Sequence, residues 1–243
     1  MRNQQNTMKD TTRLFGKSTK KDWMNLRIKI TGQPDEENNW KAATNLLKER
    51  LESRYFRPIN KILNMRLTTG EGFAAMTLIC SLIEFLQSCY EGKSYIFKAA
   101  ESKLIYGNSG DKFKSFLKLQ EPFKTVFNKS VRNPTKEILN YADDFYINVR
   151  CGLLHEAATN NGWVIKSRNS ISNSKVIVDV SDEANKIIFR DEFFRSIKNY
   201  SDLYLKNIIA NKNDFNEQSL RDNFCRKMDS LCYIDGTSEN WWT

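Results

Sequence analysis

Residues 72–92 read GFAAMTLICSLIEFLQSCYEG. Apolar side chains fall on most bearings of a helix drawn through this stretch, and such a helix belongs in the middle of a bundle. Gly70 and Gly72 punctuate its start. Its polar exceptions, Thr77, Ser81, Glu84 and Ser88, recur at steps of four, three and four and share one narrow stripe. Glu84 stands out, because a carboxylate in an apolar cylinder must find a partner, a shifted titration, or a gap open to solvent. The stretch predicts a mainly α fold, with Glu84 either a supporting site residue or a solvent-facing charge.

Toward the N-terminus, Asp35, Glu36 and Glu37 supply the negative charge that favours a helix start, and Trp40, Ala43, Leu46, Leu47, Leu51 and Tyr55 follow at helical spacing. Pro58 is expected to end or kink that helix, with Ile59, Ile62 and Leu63 continuing its apolar face. Residues 1–34 are polar and basic, relieved only by Trp23, Leu26, Ile28 and Ile30, and read as a mostly loose arm.

Toward the C-terminus, short helical patterns (Phe113, Phe116, Leu117; then Phe123, Val126, Phe127) flank Pro122. Asn133 followed by Pro134 is a helix-start signal. The positions Ile138, Leu139, Ala142, Phe145, Val149, Gly152 and Leu153 then define a second core helix, expected to run to about Ala157. Past Asn160, Asn161 and Gly162 the period changes, and β-branched runs at 163–166, 175–180 and 186–189 predict a small antiparallel β insertion. Helical spacing returns over 193–209 and 220–231. No linker rich in Pro, Gly or Ser divides the chain, so one elaborated domain is expected: a basic arm (1–34), a helical domain (35–212) with its β region at about 163–190, and a C-terminal helical extension (213–243). Trp241 and Trp242 read equally as an interaction tail or a folded-back cap.

The 38 Lys/Arg against 29 Asp/Glu leave a net charge of +9. The excess is concentrated in residues 1–66 (+8) and 93–136 (+7), which form a phosphate-attracting surface if they converge and a solvated lysine-rich surface if they do not. The N-terminus, MRNQQNTMKD, lacks the apolar core of a signal peptide, and 72–92 is interrupted by Glu84 and Gln87, so neither export nor a membrane span is expected and the cytoplasm is. Five cysteines, an odd number without a CxxC pair, suit reduced thiols. With one histidine in the chain, no metal or other cofactor is expected.

That histidine closes the segment Arg150-Cys151-Gly152-Leu153-Leu154-His155, within NVRCGLLHEA on the second core helix. An Arg, four residues, then His near the end of a late helix, preceded by the apolar helix GFAAMTLICSLIEFL and followed by a W-V-I strand and a further helix, resembles the HEPN superfamily over roughly residues 40 to 210. The resemblance implies a helical bundle that dimerises, and a metal-independent endoribonuclease of the kind found in toxin–antitoxin and anti-phage systems, with Arg150 and His155 at the catalytic positions. It also implies RNA as ligand, an antitoxin or other defence protein as partner, and products with 2′,3′-cyclic phosphate and 5′-hydroxyl ends. Two positions depart from the family: Cys151 stands where a polar residue is common, and Ala157 stands where some toxin members carry a modifiable tyrosine.

The chemistry is coherent on its own terms. Cutting RNA without a metal needs a group that moves a proton at the 2′-hydroxyl or at the leaving 5′-oxygen, and imidazole titrates near neutrality. It also needs fixed positive charge beside the phosphorane, which a guanidinium supplies with several donors. On an ideal helix Arg150 and His155 stand about 140° apart around the axis and about 7.5 Å apart along it. A helix that frays near Leu154, or a two-fold dimer that brings two motifs into one cleft, would resolve this. Asp144, Asn148, Cys151 and His155 share one stripe, so Asp144 or Asn148 is a candidate to orient the cleft, and Glu84 is a candidate partner for Arg150. Two other classes stay open: a catalytically silent dimeric RNA-binding or regulatory module, and a structural partner-binding bundle.

Overall fold

A computed structural model of the chain describes residues 9–65, 70–132, 137–167, 176–211 and 219–234. The Asn133–Pro134 signal and the Trp241–Trp242 pair lie outside the described residues. The chain begins with β1 (Arg13–Phe15), β2 (Ser18–Thr19), α1 (Lys20–Gly32) and α2 (Glu37–Leu51). A π-helical turn (Glu52–Phe56) leads into α3 (Arg57–Asn64), followed by α4 (Glu71–Glu91), β3 (Ser94–Tyr95), β4 (Ile105–Tyr106), α5 (Ser109–Leu119) and α6 (Lys124–Phe127). Next come β5 (Ser130–Arg132), β6 (Ile138–Asn140), α7 (Tyr141–Phe145), a second π-helical turn (Tyr146–Cys151) and α8 (Gly152–His155). The chain closes with β7 (Trp163–Lys166), β8 (Val178–Asp179), β9 (Lys186–Phe189), α9 (Arg190–Ile209) and α10 (Leu220–Leu231). Among the described residues helix outweighs strand, 61% against 13%, which makes the class mainly α.

The chain divides into two compact units that alternate along the sequence: Met1–Arg57 with Ser88–Asn108 and Asp202–Thr243, and Pro58–Gln87 with Ser109–Ser201. Residues 9–34 of the basic arm belong to the first unit and are not loose. Trp23 on α1 is fully buried, donates its indole N–H to Asp229 at 2.8 Å and meets Phe224 edge-on at 5.9 Å. Asp22 starts α1, its carboxylate accepting from the Thr19 N–H at 2.6 Å, and that bond holds the carboxyl below its ordinary range. Tertiary burial of Trp23 and Ile30 therefore overrides a polar local sequence.

Side chains close helix ends in this unit. Arg221 lies over the Trp40 ring at 4.2 Å and donates at 2.9 Å to the carbonyls of both Ile208 and Ile209, the last residues of α9. Tyr204, Asn223 and Lys227 likewise donate to the carbonyls of Cys89, Tyr90 and Lys93, where α4 runs out. Pro58 neither ends nor breaks its helix, because the wide π turn at Glu52–Phe56 precedes it and the chain continues as α3. A proline lacks the N–H that a regular turn needs there, and a π turn is one of the adjustments that absorb the lost bond.

The second unit has an aromatic core: Phe145 stacks on Phe193 at 5.8 Å, and Trp163 meets Phe145 edge-on at 5.1 Å. Its sheet has the order β7-β9-β8 and is not wholly antiparallel. β7 runs parallel to β9 in the register Trp163↔Lys186, and only β8 is antiparallel to β9. Ile138 and Leu139 also depart from expectation, forming strand β6 against β5, so the second core helix starts at Tyr141. The pattern at 138–142 satisfies both periods over so short a run, and pairing with Val131 decides for strand.

α4 is long and apolar enough to cross a bilayer, yet 61% of its most apolar window is buried within the protein. It presents one face outward: Ser81 is exposed and Thr77 and Glu84 are half-buried, while Ala75, Ile79, Leu82 and Leu86 are buried.

Candidate active site

The helix carrying Arg150 and His155 is capped by Asn140, whose side-chain oxygen accepts from the Asp143 N–H at 3.0 Å. It is α-helical through Phe145, widens into the π turn Tyr146–Cys151, and finishes with α8 at His155. Ala157, at φ +51°, turns the chain away, two residues after the histidine and at the expected end of the helix. The helix does not fray near Leu154. Instead Arg150 sits in the wide turn, where the uniform 100° per residue behind the 140° separation does not hold.

Arg150 is half-buried, its guanidinium 5.5 Å from the centre of the Tyr146 ring and its Nη2 3.5 Å from Ser109 Oγ. Among the described residues it forms no ion pair. The expected Glu84–Arg150 pair is therefore absent; Glu84 is half-buried on α4 with other partners. Asp143, one helical turn and more upstream, is bound by Lys118 at 3.1 Å and Lys114 at 3.5 Å. Lys114 also lies 5.8 Å from the centre of the Tyr146 ring, so that ring carries two cations. Burial pushes the Tyr146 hydroxyl above its ordinary range, and a hydrogen bond with Cys151 adds to the rise. Gly110 makes the approach of α5 possible, since a Cβ there would lie 2.7 Å from the Tyr146 hydroxyl.

His155 is exposed on the last residue of α8. Among the described residues it has no hydrogen-bond or ion-pair partner, and no such contact joins it to Arg150. On the same helix Ile147 and Leu154 are 52% and 55% exposed, leaving an apolar surface on either side of the arginine. Cys151 is half-buried beside Tyr146, while burial drives the Cys80 thiol up to about 12, with Arg150 pulling it down and Cys151 adding to the rise. A thiol so raised is no nucleophile near neutrality.

Asp144 does not orient the cleft. It is fully buried, and both its oxygens are saturated: Oδ1 accepts from Asn148 at 2.8 Å and Asn161 at 2.9 Å, and Oδ2 from the Trp163 indole at 2.7 Å and Lys186 at 3.1 Å. Asn148, half-buried, gives a side-chain N–H to that network, and its backbone carbonyl accepts from the Asn160 N–H at 2.9 Å. The stripe Asp144, Asn148, Cys151, His155 is thus split, its first half bound to the sheet and only its second half open. Gly152 serves that junction, as a Cβ there would meet the Ala158 carbonyl at 2.6 Å.

The arrangement brings Arg150 together with Tyr146, Ser109, Lys114 and Cys151, and leaves Glu84, Asp144 and Asn148 outside it. Tyr146, Lys114 and Ser109 are the residues that sequence reasoning missed. Tyr146 lies four residues before Arg150 and so within reach on the same face, a signal present in the sequence; Lys114 and Ser109 come from α5 and carry none. Two cavities, of about 410 and 750 Å³, are lined by residues of the first unit and include neither Arg150 nor His155. Among the described residues no group of three or more His, Cys, Asp or Glu could hold a metal ion. Comparison with family models, curated proteins and solved structures finds no match.

Proposed function

We propose that the chain is a HEPN-like, metal-independent endoribonuclease acting in the cytoplasm in a toxin or anti-phage role. One observation carries the reading: among the described residues neither Arg150 nor His155 is engaged by a carboxylate, although 29 acidic residues are present in the chain. An arginine braced on a tyrosine ring and an exposed imidazole, neither with an ion-pair partner among the described residues, suit a phosphodiester better than a structural role.

In this reading His155 moves the proton, taking it from the 2′-hydroxyl or giving it to the leaving 5′-oxygen. The 2′-oxygen then bonds to phosphorus as the bond to the 5′-oxygen breaks, leaving a 2′,3′-cyclic phosphate and a 5′-hydroxyl. Arg150 donates to the non-bridging oxygens as charge builds on them. A two-fold dimer formed across the exposed Ile147 and Leu154 would bring two motifs into one cleft. An antitoxin or other defence protein is the expected partner.

One observation favours the silent RNA-binding alternative: no residue among those described orients the His155 ring. Incubating wild type, Arg150→Ala and His155→Ala with cellular RNA in EDTA, and reading the fragment ends, separates the two.

A further inference from the structure

The turn that follows β3 has an exposure that its packing does not explain. Tyr95, Ile96 and Phe97 are 49%, 49% and 72% exposed, three consecutive large apolar side chains at the surface of the first unit. The backbone beneath them is tied. Ser94 N–H donates to the Leu104 carbonyl at 2.9 Å, Ile96 N–H to the Tyr106 carbonyl at 3.0 Å, and Ala99 N–H to the Ile96 carbonyl at 3.1 Å. The turn passes directly over Gly107, where a Cβ would fall 2.1 Å from the Ala99 carbonyl oxygen. Lys98 is held at φ +57°, a left-handed conformation that lysine seldom adopts without outside support.

The side chains are equally placed. The Tyr95 ring is braced against the buried Tyr106 ring at 5.4 Å and 57°, and Lys98 Nζ stands 5.2 Å from the centre of the Phe97 ring. Lys93 is committed to Glu91 and Glu101, but neither Lys98 nor Lys103 has an ion-pair partner among the described residues. Two exposed rings, with Lys98 against Phe97 and with Lys103 next in sequence to Leu104, which Ser94 bonds, match a nucleotide, whose base stacks and whose phosphate is anionic. The same unit holds the 410 Å³ groove, lined by Lys41, Lys48 and Lys206, of which the last two also lack an ion-pair partner among the described residues.

We infer that the 95–98 turn is a stacking platform for unpaired bases of single-stranded RNA, with Tyr95 and Phe97 supplying the rings and Lys98 and Lys103 the phosphate contacts. This rests on the proposed function only in taking RNA as ligand, and it does not require cleavage. The full chain carrying His155→Ala, titrated with a labelled unpaired oligouridine and with a fully paired RNA duplex, tests it. Phe97→Ala in that background weakens oligouridine binding about tenfold and duplex binding far less, and Phe97→Trp keeps the affinity and gives an indole emission quenched on binding. Unchanged oligouridine affinity in both Phe97→Ala and Tyr95→Ala overturns the inference, as does equal weakening for the two RNAs. Loss of binding to anionic phospholipid vesicles with RNA binding intact also overturns it, in favour of a membrane surface. Cleavage that depends on His155 while Phe97→Ala leaves RNA binding unchanged sinks the platform alone; oligouridine binding that depends on Phe97 without any cleavage sinks only the nuclease.

Discussion

The indole N–H of Trp163 donates to Asp144 at 2.7 Å, fastening the first strand of the mixed sheet to the helix that carries Arg150. Lys186, 1% exposed, meets the same oxygen at 3.1 Å and lies 5.3 Å from the centre of the Trp163 ring. Asp144 is therefore the shared acceptor in a buried cluster of donors drawn from the helix, from the turn after it and from both parallel strands.

Removing that charge strands Lys186. Asp144→Ala is expected to cost about 3–5 kcal/mol, the usual penalty for an uncompensated buried charge, whereas Asp144→Ala combined with Lys186→Met recovers a large part of it. Denaturant unfolding of the two variants measures this, and a cost below about 1 kcal/mol for Asp144→Ala contradicts the assignment.

The Tyr146 ring is expected to matter to cleavage as a brace for Arg150. Tyr146→Phe keeps the ring and retains most activity, while Tyr146→Leu removes it and lowers kcat about tenfold, the effect of roughly 1.4 kcal/mol of lost positioning. Single-turnover cleavage of RNA distinguishes the two. Equal activity in Tyr146→Leu and wild type removes the ring from the mechanism.

Arg190 donates to Glu71 at 2.9 Å, and this bond holds the Glu71 carboxyl below its ordinary value of 4.5. Because the folded-state value is depressed, the stabilisation is present above the unfolded value and is lost as the pH falls through the folded one. The difference in melting temperature between wild type and Arg190→Ala is thus expected to be full at neutral pH and to shrink below pH 4.5. A difference that stays constant across the acid range refutes the linkage.

The basic arm is expected to be part of the first unit's core. Trp23→Ala opens a large cavity and removes one hydrogen bond to Asp229, at a cost of about 3–5 kcal/mol. Thermal unfolding tests this, and a variant melting with wild type would restore the loose-arm reading.

The helical class, α2, α4 and α9 were legible because their apolar positions repeat over several turns, and a long repeat outweighs local noise. The arm was not, since only a few scattered apolar residues, Leu14, Phe15, Trp23 and Ile30, are buried there, and Asp229, which Trp23 bonds, lies some two hundred residues away. The parallel pairing of β7 with β9 was also hidden: strand existence follows from composition, but partner and direction follow from long-range contacts. At the candidate site, the pair Arg150 and His155, with the adjacent Cys151, stood out through the resemblance of the surrounding helices and strand, and the spacing alone would not have singled it out. Asp144 shares a stripe with Cys151 and His155 yet is bound to the sheet, because helical periodicity names a face and does not say what covers it.

The most direct measurement is cleavage of RNA in EDTA by wild type, Arg150→Ala and His155→Ala, with the fragment ends identified. Cleavage to 2′,3′-cyclic phosphate and 5′-hydroxyl ends by wild type, reduced about a hundredfold or more in each folded variant, is the predicted result. Cleavage undiminished in both variants would contradict the proposed site, and a wild type that binds RNA but leaves it intact would contradict the nuclease.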